Sequence, residues 1–149
     1  ILSESDVPAK QIKLEITERL LIQQPDNAKE MLELCREAGM GIAIDDFGTG
    51  YSSLSYLYYF PIGVLKIDQS FVRAMKKEDK SRELVRSIIG LGKNMSMSII
   101  AEGVEELEEA KLLQSMGCDA AQGYYFAKPL PEKDVIELLR GWNPAKLTA

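Results

Sequence analysis

The amino-acid sequence predicts an α/β fold in which a parallel sheet carries helices on its outside, wound as an incomplete (β/α) barrel. Three observations point there. Five short apolar segments alternate with stretches of helical periodicity. Each apolar segment runs into polar or charged residues, and strand carboxyl ends are where a (β/α) barrel keeps its functional groups. The length, 149 residues, falls well short of the roughly 250 that eight strand–helix units usually occupy. An open doubly wound sheet is the second choice, because it too binds ligands at strand carboxyl ends. Against it, the sequence has no Gly-x-Gly-x-x-Gly fingerprint and no phosphate-binding loop.

The elements follow in order. Lys13-Leu14-Glu15-Ile16-Thr17-Glu18 opens the series as a strand. Asn27, with Glu30 three residues on, resembles a capping box ahead of Met31, Leu34, Cys35 and Ala38 at helical spacing; Gly39 stops that helix. Residues 41–46 form the second strand and 64–68 the third. From Ser81, the spacing of Leu84, Val85, Ile88 and Leu91 predicts another helix. Ser98-Ile99-Ile100-Ala101-Glu102 is the fourth strand, followed by a helix over 104–116 with Gly117 as its stop. Asp119-Ala120-Ala121-Gln122-Gly123 is the fifth, and a helix over 131–139 opens with proline. Neither an internal repeat nor a linker interrupts the series, so the chain reads as one domain.

Composition narrows the chemistry. Hydrophobic residues make up 46% and charged ones 28%, as in an ordinary globular protein, and no run is long enough for a membrane span. A net charge of −5 argues against binding a nucleic-acid polymer. It leaves an anionic small ligand open, because bound metal ions invert the local field. There is no histidine, which removes imidazole zinc sites, serine–histidine triads and histidine acid–base catalysis together. Cys35 and Cys118 lie far apart among apolar residues, predicting buried free thiols and fitting a reducing cytoplasm. The chain starts at Ile1 rather than methionine, which fits a processed product, a designed fragment or part of a longer protein.

The run Ile44-Asp45-Asp46-Phe47-Gly48-Thr49-Gly50-Tyr51-Ser52-Ser53 carries the strongest local signal. Two adjacent carboxylates close an apolar strand, and hard divalent cations prefer such oxygen ligands. Successive strand side chains face opposite ways, so both carboxylates reach one site only if the strand ends there. The plain alternative is a polar turn capping the next helix.

Five blocks in fixed order then resemble a known family. They are Leu14-Glu15-Ile16-Thr17-Glu18, residues 45–54 from Asp45 to Leu54, Leu65-Lys66-Ile67-Asp68, Ala101-Glu102-Gly103-Val104-Glu105, and Gln122-Gly123-Tyr124-Tyr125-Phe126-Ala127-Lys128-Pro129. Together they resemble the EAL domain, a bacterial phosphodiesterase module acting on cyclic di-GMP. The resemblance implies a TIM-type barrel of which residues 1–149 form about the last five strand–helix units. The naming Glu-Ala-Leu motif and the asparagine-bearing strand after it, which supply two metal ligands in the family, are absent from this sequence.

By resemblance, Glu15, Asp45, Asp46 and Glu102 are metal ligands for two Mg²⁺ or Mn²⁺ ions. Glu18 anchors the loop after Asp46. Lys66 steadies the attacking water and the phosphoryl oxygens, Glu102 also accepts a proton, and Gln122 orients water or a phosphate oxygen. Lys128 and Pro129 border the guanine pocket. Tyr124, Tyr125 and Phe126 offer a face for guanine stacking. Plainer alternatives are helix-start carboxylates for Glu15, Glu18 and Glu102, the last suiting Glu105 better, an ion pair with Asp68 for Lys66, and core packing for the three rings. Residues 56–60 read as packing, with a family dimer contact as the minority reading. The implied reaction is hydrolysis of cyclic di-GMP to linear pGpG in cytoplasmic signalling. The alternatives are a module that senses cyclic di-GMP or a protein partner without hydrolysis, and a different (β/α) metal enzyme, against which the ordered blocks argue.

Missing strands leave sheet edges open, and open edges seek partners. A homo-oligomer or strand-exchanged assembly is therefore expected in sedimentation velocity at micromolar concentration. A monodisperse monomer that unfolds cooperatively would overturn that expectation.

Overall fold

The structure is a computed structural model that describes residues 6–23, 25–48 and 55–142. Five strands, β1 (Lys13–Thr17), β2 (Gly41–Phe47), β3 (Val64–Ile67), β4 (Ser98–Ala101) and β5 (Ala120–Ala121), pair in chain order and all run parallel. Parallel neighbours need crossovers, and helices supply them. α1 (Glu18–Gln23) and α2 (Pro25–Glu37) link β1 to β2, and α3 (Ser55–Tyr59) links β2 to β3. α4 (Gln69–Met75) and α5 (Asp79–Asn94) link β3 to β4, α6 (Leu107–Ser115) links β4 to β5, and α7 (Glu132–Gly141) follows β5. The order β1-β2-β3-β4-β5 never reverses, which is barrel winding and not a doubly wound sheet.

Strand alternation divides the sheet into two faces. One face presents Ile16, Ile42, Ile44, Leu65, Ile67 and Ile99, all at most 4% exposed, to the helices. They join one core with Ala28 and Leu32 of α2 and with Val85, Ile88 and Ile89 of α5. Gly92 lets α5 come down on β4, since a Cβ there would lie 2.2 Å from the Ile99 Cδ1. Among the described residues, β1 pairs only with β2 and β5 only with β4, so both flanks of the sheet are open. Leu34 of α2 and Leu139 of α7 are more than 60% exposed.

Several expectations need correction. α2 begins at Pro25, whose ring suits the first helical turn, so Asn27 lies inside the helix and no capping box forms there. α5 starts at Asp79, two residues before Ser81. α6 starts at Leu107; Val104 belongs to the preceding turn and is fully buried. β2 does not end at Asp46 but continues to Phe47. Pro131 caps α7 from outside the helix. Both cysteines are free, yet half-buried and not buried. Residues 1–5, residues 49–54 of the second family block and the Tyr56 side chain lie outside the described residues.

Asp119 fastens the short β5 to its neighbour. Its Oδ2 accepts the Ile99 N–H at 2.7 Å, its own N–H donates to the Ile99 carbonyl at 3.1 Å, and its Oδ1 meets the Lys93 ammonium. The Lys93 hydrogen bond and then the Ile99 N–H lower its pKa from the usual 3.8. A depressed carboxylate pKa stabilises the fold above the unfolded value, and that stability is lost as pH falls through the folded value. Asp119→Ala should therefore cost about 1 kcal/mol at neutral pH, allowing for partial exposure. In urea titrations the variant should lose less stability than the parent chain as pH is lowered below about 4.

Candidate active site

The second sheet face gathers the polar residues, and strand register explains how. Parallel partners point the same way, and register pairs Glu15 with Ala43 and Ala43 with Val64. Two residues further along β2 and β3 stand Asp45 and Lys66 on that face. Ile100 is the β4 partner of Lys66 and Ala120 is the β5 partner of Ile100. One step of two beyond those come Glu102 and Gln122, both just past their strands. The face therefore collects Glu15, Asp45, Lys66, Glu102 and Gln122 at the carboxyl end of the sheet.

Lys66 is the centre of this group. The residue is 4% exposed, and its Nζ lies 2.6 Å from Glu15 Oε2, 2.6 Å from Glu102 Oε1 and 3.1 Å from Asp45 Oδ1. Burial alone would lower the lysine pKa and is the largest single influence. Hydrogen bonds to Glu102, Glu15 and Asp45 more than reverse it, so the ammonium is held charged above the ordinary lysine range. The alternative reading, an ion pair with Asp68, is not what forms. Asp68 instead caps α4 by accepting the Ser70 N–H at 2.9 Å.

Asp46 reaches the same site through an irregularity. Alternation would send it to the helix face, but its φ is 54° and the β2–β3 register shifts between Ile44 and Phe47. Left-handed backbone is uncommon outside glycine, and aspartate tolerates it better than most residues. The result is a cluster in which carboxylate oxygens of Asp45, Asp46 and Glu102 lie within 4.8 Å of one another. Crowding shows in their chemistry. Burial first, then repulsion from Asp45 and Asp68, raises the Asp46 pKa. Burial also raises that of Glu102, against the pull of Lys66.

The remaining expected residues divide. Glu18 is buried, and its Oε2 accepts the Gly48 N–H at 3.2 Å, so it touches the loop that follows Asp46. Gln122 donates from Nε2 to Glu102 Oε1 at 2.7 Å. Beside them opens a cavity of about 650 Å³, lined by Gln69, Glu102, Gln122, Tyr124, Lys128 and Pro129 among others. That volume suits a small organic ligand. The Lys128 Nζ sits 5.8 Å from the centroid of the Tyr124 ring. Tyr124 is 59% exposed, whereas Tyr125 and Phe126 meet edge to face and pack, half-buried, against the core. Core packing therefore holds for two of the three rings.

The donor set fits a divalent cation. Asp45, Asp46, Glu102 and Glu15 bring four carboxylates against the one ammonium of Lys66, and every candidate ligand is a hard oxygen. Sequence reasoning missed the buried Glu109. A glutamate three residues after Glu106 was the available signal.

The profile of the EAL domain family matches residues 1–129. The chain belongs to the EAL domain family. It is similar to the cyclic di-GMP phosphodiesterase RocR of Pseudomonas aeruginosa, at 40% identity over 141 residues, 95% of this chain and 36% of RocR. Its fold matches the EAL domain of Mycobacterium smegmatis DcpA with a TM-score of 0.87 and 36% identity, over 96% of this chain and 65% of that one. The Klebsiella pneumoniae BlrP1 manganese and cyclic di-GMP complex matches with a TM-score of 0.77 and 37% identity, over 83% of this chain and 31% of that one. This chain spans about a third of RocR and a fifth or less of several other curated relatives. The sheet is thus an incomplete EAL-type (β/α) barrel.

Lys66→Met would leave Glu15, Asp45 and Glu102 facing one another without the ammonium. Removing one partner of a buried ionic group typically costs about 3–5 kcal/mol. Urea unfolding without divalent cations should show a loss near the lower end of that range. Added Mn²⁺ should return part of it, because a bound cation replaces the lost positive charge.

Proposed function

We propose that this chain is the carboxyl-terminal part, over residues 1–149, of an EAL domain that hydrolyses cyclic di-GMP to linear pGpG at a two-metal carboxylate site. The observation that carries the reading is the convergence of Asp45, Asp46 and Glu102 oxygens within 4.8 Å, with Lys66 bridging to Glu15. Likeness to a named cyclic di-GMP phosphodiesterase and to a manganese and cyclic di-GMP complex supports the substrate and the ion class. Parallel support comes from the absence of histidine, which leaves the work to carboxylates, lysine and amides.

Glu15, Asp45, Asp46 and Glu102 would hold Mg²⁺ or Mn²⁺, which when bound polarise a phosphodiester and acidify a coordinated water. The chain's own residues do the rest. Lys66, kept charged by its carboxylates, steadies negative charge on a phosphoryl oxygen or the attacking water. Glu102 takes the water's proton, and the 2.7 Å bond from Gln122 fixes the plane of its carboxylate for that task. Glu18 holds Gly48 and with it the path of the chain leaving Asp46. Lys128, Pro129 and the exposed Tyr124 face offer a wall on which a guanine can stack.

Two family ligands, the Glu-Ala-Leu glutamate and the following asparagine, are absent from this sequence. The isolated chain therefore has weak or no turnover and associates through its open sheet edges. A role in the cytoplasmic part of a bacterial signalling protein follows from the same reading.

The test pairs binding with turnover. Titration with Mn²⁺ should register binding to this chain that weakens about 100-fold in Asp45→Ala. Cyclic di-GMP should be cleaved by the full-length gene product and not by its Asp45→Ala variant. Substantial turnover by the isolated chain would overturn the incomplete-site reading. A full-length protein that binds cyclic di-GMP with Mn²⁺ yet cleaves none would replace the enzyme with a sensor.

A further inference from the structure

Glu102 and Gln122 stand 2.7 Å apart at their side-chain contact, yet neither lies in a strand. Each rides on a turn, one leaving β4 and the other leaving β5. The two turns grip each other through the backbone. The Val104 N–H donates to the Gln122 carbonyl at 3.1 Å, and the Tyr125 N–H donates to the Val104 carbonyl at 3.0 Å. Gly123 permits that approach, since a Cβ there would lie 2.2 Å from the Val104 oxygen. Gly103, at φ 67°, bends the chain against Gln69, where a Cβ would fall 2.4 Å from the Gln69 Cβ.

The far end of the first turn is held by one side chain. Glu109 is 5% exposed, and its Oε2 accepts the Glu105 N–H at 2.8 Å and the Glu106 N–H at 3.1 Å. A capping glutamate ordinarily serves the N-cap amide, here Glu106. The second and shorter bond reaches outside the helix, into the turn that carries Glu102. Burying a carboxylate is costly unless donors meet it; two amides and the helix N-terminus offset that cost. Arg73 and Lys76 of the α4 region also pair with Glu105 and Glu106, but these pairs are largely exposed and hold little.

We infer that Glu109 is a positioning residue for the Glu102–Gln122 pair. By fixing Glu105 and Glu106 it fixes the 102–106 turn, and so the direction from which Glu102 meets Lys66 and Gln122. The functional weight of this rests on the proposed roles of Glu102 and Gln122; the positioning itself is a property of the chain alone.

The experiment compares ¹⁵N-labelled chain with its Glu109→Ala, Glu109→Asp and Glu109→Gln variants. Ala28→Gly, a helix-weakening change in the distant α2, serves as control. In Glu109→Ala the Gln122 side-chain amide resonance should move toward that of a free glutamine amide. Exchange of the Val104 amide should quicken about tenfold beyond any change in global unfolding. Glu109→Asp, too short to reach both amides, should give a smaller shift of the same sign should the alanine variant not fold. Glu109→Gln keeps an acceptor oxygen and should restore both signals, and Ala28→Gly should move neither. Mn²⁺ affinity should fall about tenfold in Glu109→Ala and recover in Glu109→Gln. A Gln122 amide that stays put in Glu109→Ala and Glu109→Asp overturns the inference. If the parent chain binds no Mn²⁺, the metal reading fails while the amide signals still decide the positioning role.

Discussion

One ammonium, that of Lys66, meets carboxylates from β1, from β2 and from the turn after β4, and the strand register makes the meeting possible. Had β3 slipped by one residue against its neighbours, Lys66 would point among the helices and Leu65 or Ile67 would face the carboxylates. Register is in turn fixed by the helix face of the sheet, where those two residues are fully buried. The hydrophobic pattern and the polar site are therefore two faces of one constraint. Apolar burial selects the alignment, and the alignment delivers the charges.

The same logic separates what was legible in the sequence from what was not. Each strand of three or more residues announces itself by β-branched and aliphatic runs, and each is found within a residue or two of its expected place. Helix starts were less legible. Asn27 and Glu30 have capping-box spacing, but a proline two residues earlier takes the first turn, and spacing alone cannot rank the two signals. Val104 has the periodicity of a helical residue, yet its apolar side chain is buried by a turn instead.

The site divides similarly. Asp45 and Lys66 could be placed on one face by counting in twos. Asp46 could not, because its arrival depends on a left-handed backbone and a register shift that no residue pattern displays. The partner of Lys66 was equally hidden. Asp68 is near in sequence, but on a strand a neighbour two residues along is about 7 Å away and can be drawn off by a helix end. Residues distant in sequence won because the sheet brings them closer than the chain does.

The left-handed backbone at Asp46 also bears on how such a chain can drift. Asparagine accepts that conformation as readily as aspartate, and it would carry no charge into a crowded carboxylate cluster. Burial first, then Asp45 and Asp68, weigh against the charged form of the acid, and Lys66 weighs for it. An asparagine here would take one of three carboxylates out of the cluster while leaving the strand end its backbone conformation.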